Sequence, residues 1–161
     1  MNNRKNETLN QYLLNRQETK ILISLKKRLY ENLEILNYLY ELKKIKYTLI
    51  IIKSSEESIK ETVSYIRKTD IFLKIPYIKN HYIIILQNTD CKSAIQLGSR
   101  LTSLIKRIFI LNKKNISHKI SLISFESQPP NILDICYEII QIIKKFKENT
   151  GDDYWIEIKR F

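Results

Sequence analysis

Tyr47–Lys53, with the sequence YTLIIIK, is an uninterrupted run dominated by β-branched residues. An apolar run of this kind, with no alternation of polar and apolar positions, reads as a central strand covered on both faces. Such a strand commits its neighbours to supplying cover on two sides. Upstream, Glu7–Lys46 contains neither glycine nor proline and has helical character. Ile21, Leu25, Leu29, Leu36 and Leu39 fall near one face of it, interleaved with Lys26, Lys27, Glu31, Glu34 and Glu41. The stretch is long for one globular helix, so a break is expected near Arg16 and another near Asn37. Only two glycines and three prolines occur in the chain, which disfavours a turn-rich barrel or sandwich.

Downstream, Ser54 and Ser55 precede Glu56 and Glu57, a serine cap followed by acids at the positive end of a helix dipole. That helix carries Ile59, Val63 and Ile66 and is expected to end near Arg67–Asp70. Ile71–Ile75 and Tyr82–Leu86 are β-like runs joined by Pro76–His81, which together predict a hairpin. Asn88-Thr89-Asp90 opens another helix, with Ala94, Leu97, Leu101, Leu104, Ile105 and Ile108 at helical spacing. Lys119–Phe125 alternates as a strand, Pro129-Pro130 stops it, Ile132–Glu148 is amphipathic, and Tyr154–Ile158 makes a last strand. The order α–β–α–β–β–α–β–α–β, in 161 residues of which 43% are hydrophobic, predicts one α/β domain over residues 1–161.

Several classes fall away. Cys91 and Cys136 form no CxxC pair, so they are expected to be buried thiols, and neither a metal site nor a cofactor is predicted. Met1–Asn10 is polar and no apolar segment of a signal peptide follows. The apolar stretches fall far short of the ~18 residues of a membrane span, so a cytoplasmic protein is expected. His81 and His118 are expected on surface loops. Tyr12, Tyr30, Tyr38, Tyr40 and Tyr47 accompany leucine along helices and are expected to pack in or against the core, and Trp155 is expected to anchor the last strand. The net charge of +11 favours encounters with polyanions, but the lysines are scattered rather than gathered into one run.

Local spellings carry a resemblance. Leu13-Leu14-Asn15-Arg16 is similar to the end of a D-x-L-T-G-L-x-N-R segment. Arg67-Lys68-Thr69-Asp70 is similar to an R-x-x-D site. Tyr82–Asp90 (YIIILQNTD) is similar to F-v-i-l-l-p-x-t-D, and Ile120–Phe125 follows a v-t-v-S-i-G strand in hydrophobic pattern and at Ser124. With the element order, these resemble the GGDEF domain of diguanylate cyclases, which make cyclic di-GMP from GTP. The resemblance implies an α+β fold, a mixed central sheet with a βααββαβ core flanked by helices, related to nucleotide cyclases and polymerase palms. It also implies a bacterial signalling role.

The departures bear on chemistry. The family uses carboxylates to hold magnesium ions that activate the attacking hydroxyl. Where one acid sits on the first strand, this chain offers Ile50, Ile51, Ile52 and Lys53. Where the family's signature turn sits, it offers Ile78, Lys79, Asn80, His81 and Tyr82, with no glycine and no acid. The segment between Lys53 and Glu57 is too short for the family's guanine-recognition stretch. No enzymatic activity is therefore expected. What remains is the family's product-binding site: Arg67 and Asp70 occupy R-x-x-D, and Arg100 falls where a second arginine would stand. An arginine fork suits a phosphate or a guanine edge, and a carboxylate accepts from guanine N–H groups. The expected function is a catalytically inactive regulatory domain, a receptor for cyclic di-GMP, a protein-interaction module, or both. Its protein partner would be a separate chain or a second copy. The alternative is a basic nucleic-acid-binding or structural subunit with a palm-like fold.

Overall fold

The structure, a computed structural model, describes residues 13–112, 118–125 and 131–148, residues 127 and 129, and the backbone of 155–160. Helix α1 (Arg16–Lys43) precedes β1 (Tyr47–Lys53), α2 (Glu56–Val63), β2 (Ile71–Lys74), β3 (His81–Gln87), α3 (Cys91–Asn112), β4 (Lys119–Ser124), α4 (Ile132–Glu148) and β5 (Trp155–Arg160). The strands form one sheet in the order β2-β3-β1-β4-β5. β1 lies at its centre, antiparallel to both β3 and β4. β2 pairs antiparallel with β3, and β5 parallel with β4, so the sheet is mixed. The fold is the expected α+β arrangement.

The apolar run of β1 divides its side chains between two cores, because successive residues of a strand point to opposite faces. Leu49 and Ile51 join Ile83, Ile85 and Ile123 beneath α1 and α4. Ile50 and Ile52 join Tyr82, Ile84, Leu86, Ile120 and Leu122, against Ile59 of α2 and Ala94 and Leu101 of α3. Helices thus cover both faces.

α1 is a single unbroken helix of 28 residues, which corrects the expected break near Asn37. Its buried face runs through Ile21, Leu22, Leu25, Leu29, Leu33, Leu36 and Tyr40 without losing register. Asn37 is instead used as a tether, its side chain accepting a 2.6 Å hydrogen bond from the Tyr47 hydroxyl at the start of β1. The break expected near Arg16 is the start of the helix, where Asn15 and Glu18 close a reciprocal capping box. Residues 7–12 of the expected helical region, Tyr12 among them, lie outside the described residues.

α2 stops at Val63, short of the expected Arg67–Asp70. Hydroxyls of Thr62 and Ser64 bond back to the carbonyls of Ser58 and Glu61, an alternative to continued helical pairing. β3 opens at His81 rather than Tyr82, and β5 runs over Trp155–Arg160 rather than Tyr154–Ile158. The side chain of Trp155 lies outside the described residues.

Other residues depart from the sequence expectation. Tyr30 and Tyr38 are exposed, whereas Tyr40 and Tyr47 are buried. Cys136 is buried, its thiol pushed up to about 12 by desolvation, while Cys91 is only half-buried. His81 and His118 are not on the surface: each retains 3% of its exposure. His81 begins β3 and is carried by strand pairing against Phe146 of α4, and His118 is buried immediately before β4. Burial holds both imidazoles down to about 4, with Lys53 and Lys147 adding to the effect on His81 and Lys106 to that on His118.

Truncating the central strand by Ile51→Ala should lower stability by about 3 kcal/mol in urea titrations, because a fully buried side chain leaves a cavity between sheet and helices. The histidines give a pH dependence whose sign is fixed. Their folded pKa lies below the ordinary 6.5. The unfolded chain therefore takes up protons that the folded chain refuses, and stability complete above pH 6.5 is lost as pH falls toward 4. The loss is on the order of 2 kcal/mol per histidine between pH 7 and pH 5. Urea midpoints measured across that range should fall, and less steeply in His81→Gln. A flat profile in the wild type would contradict the burial of these rings.

Candidate functional site

Two regions follow from the sequence: the sheet end that the signature turn borders, and the Arg67–Asp70 loop with Arg100.

At the first, strand register brings cations together. Lys53, the last residue of β1, is paired across the sheet with His81 of β3 and Lys119 of β4. Lys119 is buried and its ammonium donates a 2.9 Å hydrogen bond to the carbonyl of Phe146, near the C-terminal end of α4, where a cation complements the helix dipole. The His81 ring stacks on Phe146 with centroids 6.2 Å apart, and its Nδ1 lies 2.6 Å from the carbonyl of Lys79. Its Nε2 finds no hydrogen-bond partner among the described residues. An acid approaches from the first turn of α2, where Glu56 contributes, after burial, to raising the Tyr82 phenol. Among the described residues no three His, Cys, Asp or Glu side chains gather as metal ligands.

The turn itself divides. Ile78, Lys79 and Asn80 lie in the hairpin loop, while His81 and Tyr82 are already strand. The loop closes through Ile75 N–H to His81 C=O at 3.0 Å, and is tied to the end of β1 by Ser54 N–H to Asn80 C=O at 2.9 Å. Two residues adopt the left-handed conformation without glycine, Tyr77 and Asn80, each at φ 60°. Asparagine tolerates that region; tyrosine does so at a cost.

At the second region, Arg67 and Asp70 form a closed network rather than an open pair. The guanidinium donates from Nε to Asp70 Oδ2 at 3.2 Å and from Nη2 to Asp70 Oδ1 at 3.0 Å. Nη2 also reaches the Gln87 carbonyl at 2.7 Å and the Thr89 hydroxyl at 2.6 Å. Asp70 in addition accepts from the backbone N–H of Arg67 at 3.1 Å and of Gln87 at 3.3 Å. Both carboxylate oxygens are thus occupied, and the Asp70 side chain is 1% exposed against 55% for Arg67. The pair fastens the loop after α2 to the end of β3. Sequence reasoning missed that role, since the spacing i, i+3 gives no sign of partners 17 to 22 residues away.

Arg100 stands apart on α3. With Arg107, Tyr65, Leu97, Leu101 and Leu104 it lines a cleft of about 470 Å³. Among the described residues it makes no hydrogen bond or ion pair to Arg67 or Asp70. The arginines therefore offer donors to solvent, whereas the acceptors of the aspartate are turned into the chain.

No family model matches this sequence, and no curated protein matches it. The backbone does find neighbours. The diguanylate cyclase SiaD of Pseudomonas aeruginosa, solved in complex with its activator SiaC, aligns over 96% of this chain and 68% of its own length, at TM-score 0.62 and 12% identity. The S helix-GGDEF-EAL portion of Vibrio cholerae LapD, bound to c-di-GMP, aligns over 80% of this chain at TM-score 0.48 and 16% identity. This chain spans 34% of that structure, and the likeness is a loose one. In the described residues no helix is long and apolar enough to cross a membrane. The chain has the GGDEF-like fold of diguanylate cyclases.

Proposed function

We propose that this chain is a non-catalytic, cytoplasmic regulatory domain on the GGDEF-like scaffold, which receives cyclic di-GMP on its arginine side, docks a protein partner, or does both. The observation that carries the reading is the pair of lysines Lys53 and Lys119, in register on neighbouring strands at the sheet end beside a neutral His81. A magnesium-dependent transfer needs carboxylates there, and positive side chains repel the ions that would have to bind.

For the ligand, support comes from the outward guanidinium of Arg67 and from Arg100 and Arg107 around the α3 cleft. Asp70 would act by orienting Arg67, because accepting from a guanine edge would require it to release Gln87 and Arg67 first. Arginines supply the phosphate and base-edge contacts of such a ligand. For the protein partner, support comes from SiaD, which was solved with an activator protein bound. Ile35, Tyr38 and Leu42 also form an exposed apolar stripe along α1 at helical spacing.

Calorimetry with cyclic di-GMP separates these parts. Wild type is expected to bind at micromolar affinity or better, and Arg67→Ala and Arg100→Ala each to weaken binding by at least about tenfold, since a charge-assisted contact contributes about 1.5–3 kcal/mol. Absence of heat with the wild type would remove the receptor role and leave protein interaction. Asp70→Ala should destabilise the fold by about 1 kcal/mol, because the half-buried Gln87 N–H loses its acceptor and the loop loses its tie to β3. With GTP and magnesium no cyclic di-GMP should form. Measurable product would refute the non-catalytic reading.

A further inference from the structure

On the opposite face of the sheet from the α3 cleft, the hairpin loop meets α1. Arg28, Lys74, Ile75, Pro76, Tyr77, Ile78 and Lys79 enclose a cleft of about 460 Å³, within the range of small-ligand sites. Lys20 joins them, its ammonium 4.2 Å from the centroid of the Tyr77 ring. Three exposed cations therefore line the cleft and a fourth, Lys20, lies over its exposed aromatic. Among the described residues no carboxylate lines the cleft, and none of the four cations makes an ion pair. Like charges gathered on one cleft raise its positive potential and attract anions.

The loop is not a loose tether for these groups. Ile75 is buried, Ile78 packs against the core beneath α1, and the backbone bonds at Ile75 and Asn80 fasten both ends. Tyr77 is held in the left-handed region, where a non-glycine residue is disfavoured, and the residue is 58% exposed. The outcome is an apolar floor of proline, isoleucine and tyrosine beneath a cationic rim. A planar base on the floor with phosphate oxygens at the rim matches that division of chemistry.

We infer that the cleft between α1 and the β2–β3 hairpin binds nucleotide phosphate, carried by a free nucleotide or by a single-stranded nucleic acid, through Lys20, Arg28, Lys74, Lys79 and Tyr77. The site is separate from the arginine side. Binding here does not depend on Arg67 or Arg100, and the two readings fail independently.

The test is fluorescence anisotropy with a fluorescein-labelled oligouridine 12-mer at 50–200 mM salt, on the full chain, with folding of each variant followed by circular dichroism. Wild type is expected to bind with an affinity that falls steeply with salt. Arg28→Gln/Lys79→Gln should weaken binding at least about tenfold and reduce the slope of log affinity against log salt by about 1.4, the loss of two single-strand phosphate contacts. Tyr77→Ala should weaken it about fivefold or more through lost stacking. Lys60→Gln/Lys92→Gln, an equal loss of charge from exposed positions on α2 and α3, should leave affinity within about twofold, since charges beyond a Debye length are largely screened. Competition by unlabelled ATP at concentrations matching the 12-mer identifies a free nucleotide as the source, and failure of ATP to compete identifies the single strand. Equal weakening by both double variants would overturn the proposal, since diffuse charge would then explain the binding. So would absence of binding to both probes at 50 mM salt, or an oligoglutamate 12-mer competing as well as the oligouridine.

Discussion

The double burial of β1 is the constraint from which the remaining architecture follows. Its Leu49 and Ile51 are needed on one face and its Ile50 and Ile52 on the other, and all four are removed completely from solvent. An antiparallel partner on each side then satisfies its backbone, and helices must close both faces. A slip of one residue in either ladder would exchange the two apolar sets and carry Lys53 out of line with His81 and Lys119. The same register that builds the two cores therefore assembles the positive sheet end.

That coupling explains why the sheet end is cationic without being unstable. Lys119 is buried, yet its ammonium lies against a carbonyl near the end of α4, where the partial negative charge of the helix terminus offsets the cost of desolvation. His81 avoids the same cost by staying neutral, stacked on Phe146. A carboxylate at either strand position would instead meet the negative end of that helix. The arrangement is self-consistent for cations and hostile to a cluster of acids, which is a stronger statement than the absence of acids from a motif.

Legibility from sequence divides by range. The strand and helix order was readable because each element carries its own periodicity, and Tyr47–Lys53 and Ile132–Glu148 keep the bounds the pattern implies. The continuity of α1 was not, since length alone says nothing about whether Leu29, Leu33, Leu36 and Tyr40 all find partners on one sheet. The histidines were misplaced for a related reason. Each borders a strand, and whether a border residue is buried depends on the helices crossing above it. Tyr30 and Tyr38 erred in the opposite direction, because their leucine neighbours already fill the core face. At the arginine loop, the residues were legible but their use was not: Gln87 and Thr89 come from another strand end. The basic cleft was invisible, because it joins α1 to a hairpin some fifty positions downstream.

The closed state of Asp70 also changes what an R-x-x-D spelling can mean. In an open pair, arginine and aspartate are both available, and a guanine can engage donor and acceptor together. Here the carboxylate commits both oxygens to the chain itself, and the side chain is shielded from solvent. Four accepted hydrogen bonds on a buried group cannot be exchanged for bonds to a ligand without leaving the Gln87 amide unpaired. That penalty is as large as the stabilisation a guanine N–H would bring. The arginine escapes this restriction because its guanidinium keeps further donors and faces water. The loop is thus rigid in its anion and free in its cation. The ligand proposed for this loop would be selected chiefly through acceptors, phosphate oxygens or the O6/N7 edge of guanine, rather than through the donors that an aspartate would read.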